Sequence, residues 1–341
     1  MNQKKLFGAY AVIAPLMAIF TALLYLLSFI FSFDEELNYF TLSPLVIIAR
    51  SVLGLSLCLV FIWPILFGKQ YISKLDTSLR DPGTAEAVNL VLPAVGFLIC
   101  AFTSFRSDIA LIFQVILRVG AIAAALLFAF RFYGAMRKKD VAVECVSFGL
   151  IALFWCLEVI YHTYVDVYIT LNSPLKLLPQ FALFSVMLMI IAELRSIGKI
   201  KKSGGWFFAI SLCSAICGAA GLPLLVFYIR HGDFRSIYFG MAAVATLCGM
   251  YSLSRLMGVF SRNNESRNEE VQEISAPEEA VPSEETVGDA STEIPEESRD
   301  EVASGTSEPE DVVPSDKTAE DANNEIPEQP ESGPDGRGDA S

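Results

Sequence analysis

Glu158, His162 and Asp166 recur at every fourth position of one apolar stretch. At that spacing a helix puts all three on one face, a turn apart. Two carboxylates flanking an imidazole can hold a cation, pass a proton or bind a small polar ligand. The preceding apolar stretch carries Arg118 and, one turn away, Gln114, while Arg50 lies in an earlier one. At roughly 1.5 Å per residue, Glu158 lies ~16 Å from its helix end near Ile169, and Arg118 ~14 Å from its end near Ile109. His162 at ~10 Å matches Arg50 at ~9 Å on the same measure. A lone charge at such depth in hydrocarbon costs several kcal/mol, so these groups are expected to face inward and find partners. Two readings stand. Arg118 and Glu158 form an ion pair that holds two helices in register, or the set lines an outward-opening cavity for an ion, a proton or a small polar ligand. His162 and Asp166, nearer the interface, also fit simple hydration.

Hydrocarbon surroundings follow from the apolar runs. Stretches of about 18 residues or more cross a core of roughly 30 Å, and their peptide groups can be satisfied there only within helices. Eight such spans are expected, at 6–31, 45–67, 88–105, 109–132, 141–168, 175–197, 206–229 and 237–260. The fold class is therefore all-α, a polytopic transmembrane bundle, with the bilayer as its first partner. The first span is too long for a signal h-region and is expected to be retained. All seven cysteines fall inside spans, which argues against a disulfide framework.

Charge divides the chain in two. Residues 261–341 hold 25 acidic and five basic residues, whereas 1–260 hold 13 and 20, so the overall −13 belongs to the tail. That tail has no aromatic residue and is rich in Glu, Pro and Ser. Such a composition cannot bury enough apolar surface to fold, and a disordered cytoplasmic segment is expected. It is either a solvated extension or a lure for a basic cytosolic protein.

Basic residues cluster in alternate loops: Lys69 and Lys74, then Arg137–Lys139, then Lys199–Lys202. By the positive-inside rule both termini are cytoplasmic, in a cell membrane. No phosphate-binding glycine loop, nucleophile elbow or His-Glu-x-x-His motif occurs, and two histidines leave no His-rich metal site. Catalysis, a cofactor and a nucleic-acid partner thus have no support. Transport or binding of an ion or small polar ligand is the leading functional reading, with a sensor, scaffold or assembly subunit as the alternative. Reporter fusions after Asp140 and Lys202 are expected to read cytoplasmic, and those at Asn38, Asn172 and Asp233 external; one fusion on the wrong side removes a helix from the scheme.

Overall fold

The computed structural model describes residues 3–78, 84–104, 111–137, 142–198 and 205–275. The expected tail beyond 275 and the basic loop residues Lys138, Lys139 and Lys199–Lys202 lie outside them. The described chain forms α1 (Gln3–Phe31), a hairpin of β1 (Phe33–Asp34) and β2 (Tyr39–Phe40), then α2 (Pro44–Ser78), α3 (Thr84–Val88), α4 (Val91–Ala101), α5 (Leu111–Arg137), α6 (Ala142–Val165), α7 (Pro174–Ile197), α8 (Gly205–His231) and α9 (Ile237–Ser275). Seven of these helices are long and apolar enough to cross a membrane. The chain is a multi-pass helical membrane protein.

The expected third span at 88–105 is not one helix. Pro93 has no N–H to offer the carbonyl of Asn89, so the helical ladder fails there. The chain turns at Asn89–Leu90, where Leu90 N donates to Ala87 O and Leu92 N to Asn89 O, both at 3.1 Å. The result is the short apolar stretch Glu86–Ala101, whose break swings Glu86 into the bundle. At the other extreme, α9 continues to Ser275, past the expected end at Phe260. The added segment contains Glu, Gln and Arg at nearly every turn, all good helix formers.

Small residues set the packing. Helices in lipid gain little from apolar contact alone and adhere where backbones approach closely. A Cβ on Gly221 of α8 would stand 2.5 Å from Thr246 N and 2.7 Å from Thr246 Cα on α9. Gly120 of α5 likewise receives the Trp155 ring of α6, whose Cδ1 would lie 2.6 Å from an added Cβ. The apolar windows of α9 and α8 are 72% and 67% buried, that of α2 only 22%. Thus α8 and α9 are the axis of the bundle, and α2 is a peripheral helix resting on α1 and α8.

Loops at one end are tied together. The hairpin turns on Asp34, whose Oδ1 accepts from Glu36 N (3.0 Å) and Leu37 N (3.1 Å), and on Asn38 at φ +55°. Asn38 O accepts from Ser173 Oγ at 2.8 Å, and Ser173 also caps α7 through Leu175 N. Ser104, after α4, bonds Arg235 O and Ile237 N at 2.8 and 2.9 Å. The α1–α2, α6–α7 and α8–α9 connections therefore meet at this hairpin end.

Gly221→Ala is expected to destabilise the detergent-solubilised protein by about 1–3 kcal/mol, since backbone rather than a yielding side chain blocks the methyl group. Gly54→Ala, with nothing within 4 Å of its Cβ, should be neutral or stabilising by roughly 0.5–1 kcal/mol. Thermal unfolding of the two variants compares them directly.

Candidate functional site

The expected residues do not gather into one cluster. Glu158 and His162 meet, with His162 Nε2 3.0 Å from Glu158 Oε1. The His162 ring stands 5.9 Å from that of Phe113 on α5. Arg118 is exposed on α5 and makes no hydrogen bond or ion pair among the described residues, so the expected Arg118–Glu158 pair is replaced by the pair within α6. The reason is rotation about the helix axis. The inward face of α5 runs through Leu117, Ala121, Ala124 and Phe128, spaced three and four residues apart. Arg118, one residue and about 100° round from Leu117, points away from that face. Gln114, a turn before Arg118, is half-buried. Arg50 does not meet His162 either: α2 packs on α1 and α8, α6 on α5 and α7. Equal depth did not mean adjacency.

Asp166 belongs elsewhere. It lies just past the end of α6 and lines a cavity of about 360 Å³ at the hairpin end. Its Oδ1 accepts from Tyr168 N and its Oδ2 from the Tyr238 hydroxyl, both at 2.9 Å. The buried Lys176 turns its Nζ onto the Asp166 and Ile169 carbonyls at 2.6 and 3.3 Å, neutralising exposed backbone oxygens of the α6–α7 connection. Across the cavity, Glu35 Oε1 is 3.0 Å from His231 Nε2, while His231 Nδ1 donates to Phe227 O at 2.7 Å. The imidazole ring also rests 4.2 Å from the Phe227 ring centroid. His231 thus bridges the Glu35 carboxylate and the Phe227 carbonyl. Asp233 adds a third carboxylate to the lining, and Phe33, Tyr228 and Tyr238 supply aromatic wall.

A second polar assembly fills the opposite end, and none of its members was expected as a site residue. Arg255 of α9 is 1% exposed and pairs through Nη1 with Glu86 Oε2. Its guanidinium lies 4.9 Å from the Trp206 ring centroid. One turn earlier on α9, the Tyr251 hydroxyl donates to Glu193 Oε1 of α7 at 2.8 Å. Glu193 Oε2 is 3.6 Å from Arg131 Nε of α5, and Arg131 Nη2 donates to Ser196 Oγ at 3.3 Å. Two acids and two bases thus balance. Arg131, Glu193 and Arg255 all sat within expected spans near the same membrane face, and depth matching from that end would have found them.

Among the described residues, no group of three or more His, Cys, Asp or Glu side chains could hold a metal ion. No family model matches the chain, and no curated protein or solved structure matches it.

Removing one partner of a buried ion pair strands the other in low dielectric. Glu86→Leu and Arg255→Leu are each expected to lower stability by about 3–5 kcal/mol, with much of the loss recovered in the double variant. Arg118→Leu and Glu158→Leu should cost little and add, because the two residues do not pair. Thermal unfolding of both cycles distinguishes coupled from independent residues.

Proposed function

We propose that this multi-pass membrane protein binds a small organic cation in the cavity at its hairpin end. The observation that carries this reading is the lining itself: three carboxylates, Glu35, Asp166 and Asp233, against aromatic walls in about 360 Å³. That volume falls in the range of small-molecule sites, which pair apolar walls with a few fixed polar groups. An ammonium group gains both from the carboxylates and from the faces of aromatic rings. An anion would meet the carboxylates of that lining, and its one imidazole, His231, already serves Glu35.

The charge pattern of the loops supports eight crossings with both termini cytoplasmic and the hairpin end outside the cell. In that orientation the short helix pair α3–α4 makes the third crossing. The cavity then faces the exterior, and the Glu86–Arg255 and Glu193–Tyr251 contacts occupy the cytoplasmic side. Transport of the bound cation would require those contacts to part, whereas sensing would not. The acidic tail favours a further role, recruitment of a basic cytosolic protein, which draws on its charge alone.

Calorimetry on the full chain in nanodiscs tests the cavity, with choline and a short alkyl diamine as probes and acetate as the anionic control. Saturable binding of at least one ammonium probe is expected, and none of acetate. Asp166→Asn keeps an acceptor for Tyr238 yet removes the charge, and should weaken binding about tenfold or more, the scale of one charge-assisted contact. The reading fails if neither probe binds, or if Asp166→Asn and Glu35→Gln both leave affinity unchanged.

A further inference from the structure

Arg50 was expected to find a partner inside the bundle and has none among the described residues; it is exposed on the peripheral helix α2. It does, however, line a cleft of about 380 Å³, separate from the cation cavity. One wall is α2, through Arg50, Leu53 and Leu57, and the other is α7, through Leu177 and Phe181. Ile216 and Ala219 of α8 form the floor, with Tyr39 and Asn172 at the hairpin end. Among the described residues Arg50 is the only formally charged one of that lining, which includes no carboxylate.

Polarity is graded along the cleft. Residues 50, 53 and 57 lie on one face of α2, and Leu57 stands ~10 Å deeper than Arg50 along the helix. Helical side chains lean toward the helix N-terminus, which for α2 is the hairpin end, so the Arg50 guanidinium rises toward Tyr39 and Asn172. Polar groups and a cation therefore stand at the mouth, with a dry apolar trough below. A guanidinium without a carboxylate beside it at a bilayer face recruits an anion, and its fork of donors matches phosphate.

We propose that this cleft binds an anionic glycerophospholipid of the surrounding bilayer, with its phosphate on Arg50 and one acyl chain along Leu53, Leu57 and Phe181. Basic pockets between membrane helices on the cytoplasmic side hold anionic head groups, and Arg50 presents the same chemistry at the hairpin end. The site does not depend on the cation cavity, and either can be absent without the other.

The test is native mass spectrometry of the detergent-purified full chain, titrated with phosphatidylglycerol or with phosphatidylcholine of identical acyl chains. One phosphatidylglycerol per chain should be retained with a preference of about tenfold or more, and Arg50→Gln should abolish that preference. Arg50→Lys should keep part of it. Leu57→Trp, which fills the trough and leaves the cation, should weaken retention as well. Glycerol phosphate, which has the head group and no chains, should not displace the lipid. Equal retention of both lipids by the unaltered protein overturns the proposal, as does undiminished preference in Arg50→Gln. Displacement by glycerol phosphate also overturns it, showing a site for a free anion. Arg50→Gln strands no partner and should melt with the unaltered protein; if it does not, Leu57→Trp and the lipid comparison decide the question alone.

Discussion

Hydrocarbon offers no hydrogen bonds, and most buried polar groups of the described chain are arranged around that fact. Backbone groups close on themselves in helices. Side-chain hydroxyls do the same: Thr21 and Ser28 of α1 donate to carbonyls one turn back, at 2.7 and 2.8 Å. The Lys176 ammonium, almost wholly buried, is spent on two carbonyls of a connection that has left the helical ladder. Among the described residues, charges deep in the bundle set acid against base. Arg255 and Arg131 face Glu86 and Glu193, with Tyr251 and Ser196 taking up further valences. Arg131 Nε and Glu193 Oε2 face each other at 3.6 Å, where charge attraction and not a hydrogen bond links them.

The same constraint produces the asymmetry of the bundle. Close approach is available only where side chains are small, so α8 and α9 meet through Gly221 and Thr246 and draw the other helices round them. Over Pro44–Ile62 helix α2 is only 22% buried, and its outer face of Ile47, Ile48, Leu55 and Phe61 remains exposed. A helix attached along one edge leaves a cleft beside it, and here the cleft holds Arg50. At the hairpin end the connections are tied by Ser173, Ser104 and Asp34, which spreads polar groups around a space instead of closing it.

Length and apolarity make the spans legible in the sequence, because a run of the right length has one fate in lipid. Seven of the eight expected spans correspond to long helices, and the eighth is divided by Pro93 at a position that proline chemistry explains. Depth was legible too, since rise per residue is constant. Azimuth was not. Arg118 and Glu158 share a depth, yet a difference of one residue turns Arg118 from the Leu117–Ala121–Ala124 face toward the outside. Helix adjacency was equally hidden, and so Arg50 and His162, level with each other, stand on helices that do not pack together. The Glu86–Arg255 pair required both kinds of information, along with the break at Asn89 that turns Glu86 inward.

Charge balance separates the two ends more sharply than position does. The buried assembly sets acid against base across four helices, so its members stabilise one another. At the hairpin end Glu35, Asp166 and Asp233 line an open cavity beside one imidazole, with the Lys176 ammonium behind Asp166. Asp166 is already held by Tyr168 N and the Tyr238 hydroxyl, so it need not move to meet a ligand, and such preorganisation lowers the cost of binding. Glu35, on the hairpin and more exposed, is anchored only through His231. A cation entering there would compete with the His231 ring for Glu35 while finding Asp166 already in place. The hairpin side of the cavity is thus the side free to respond to a ligand, and the α6–α7 side is the fixed wall against which it would close.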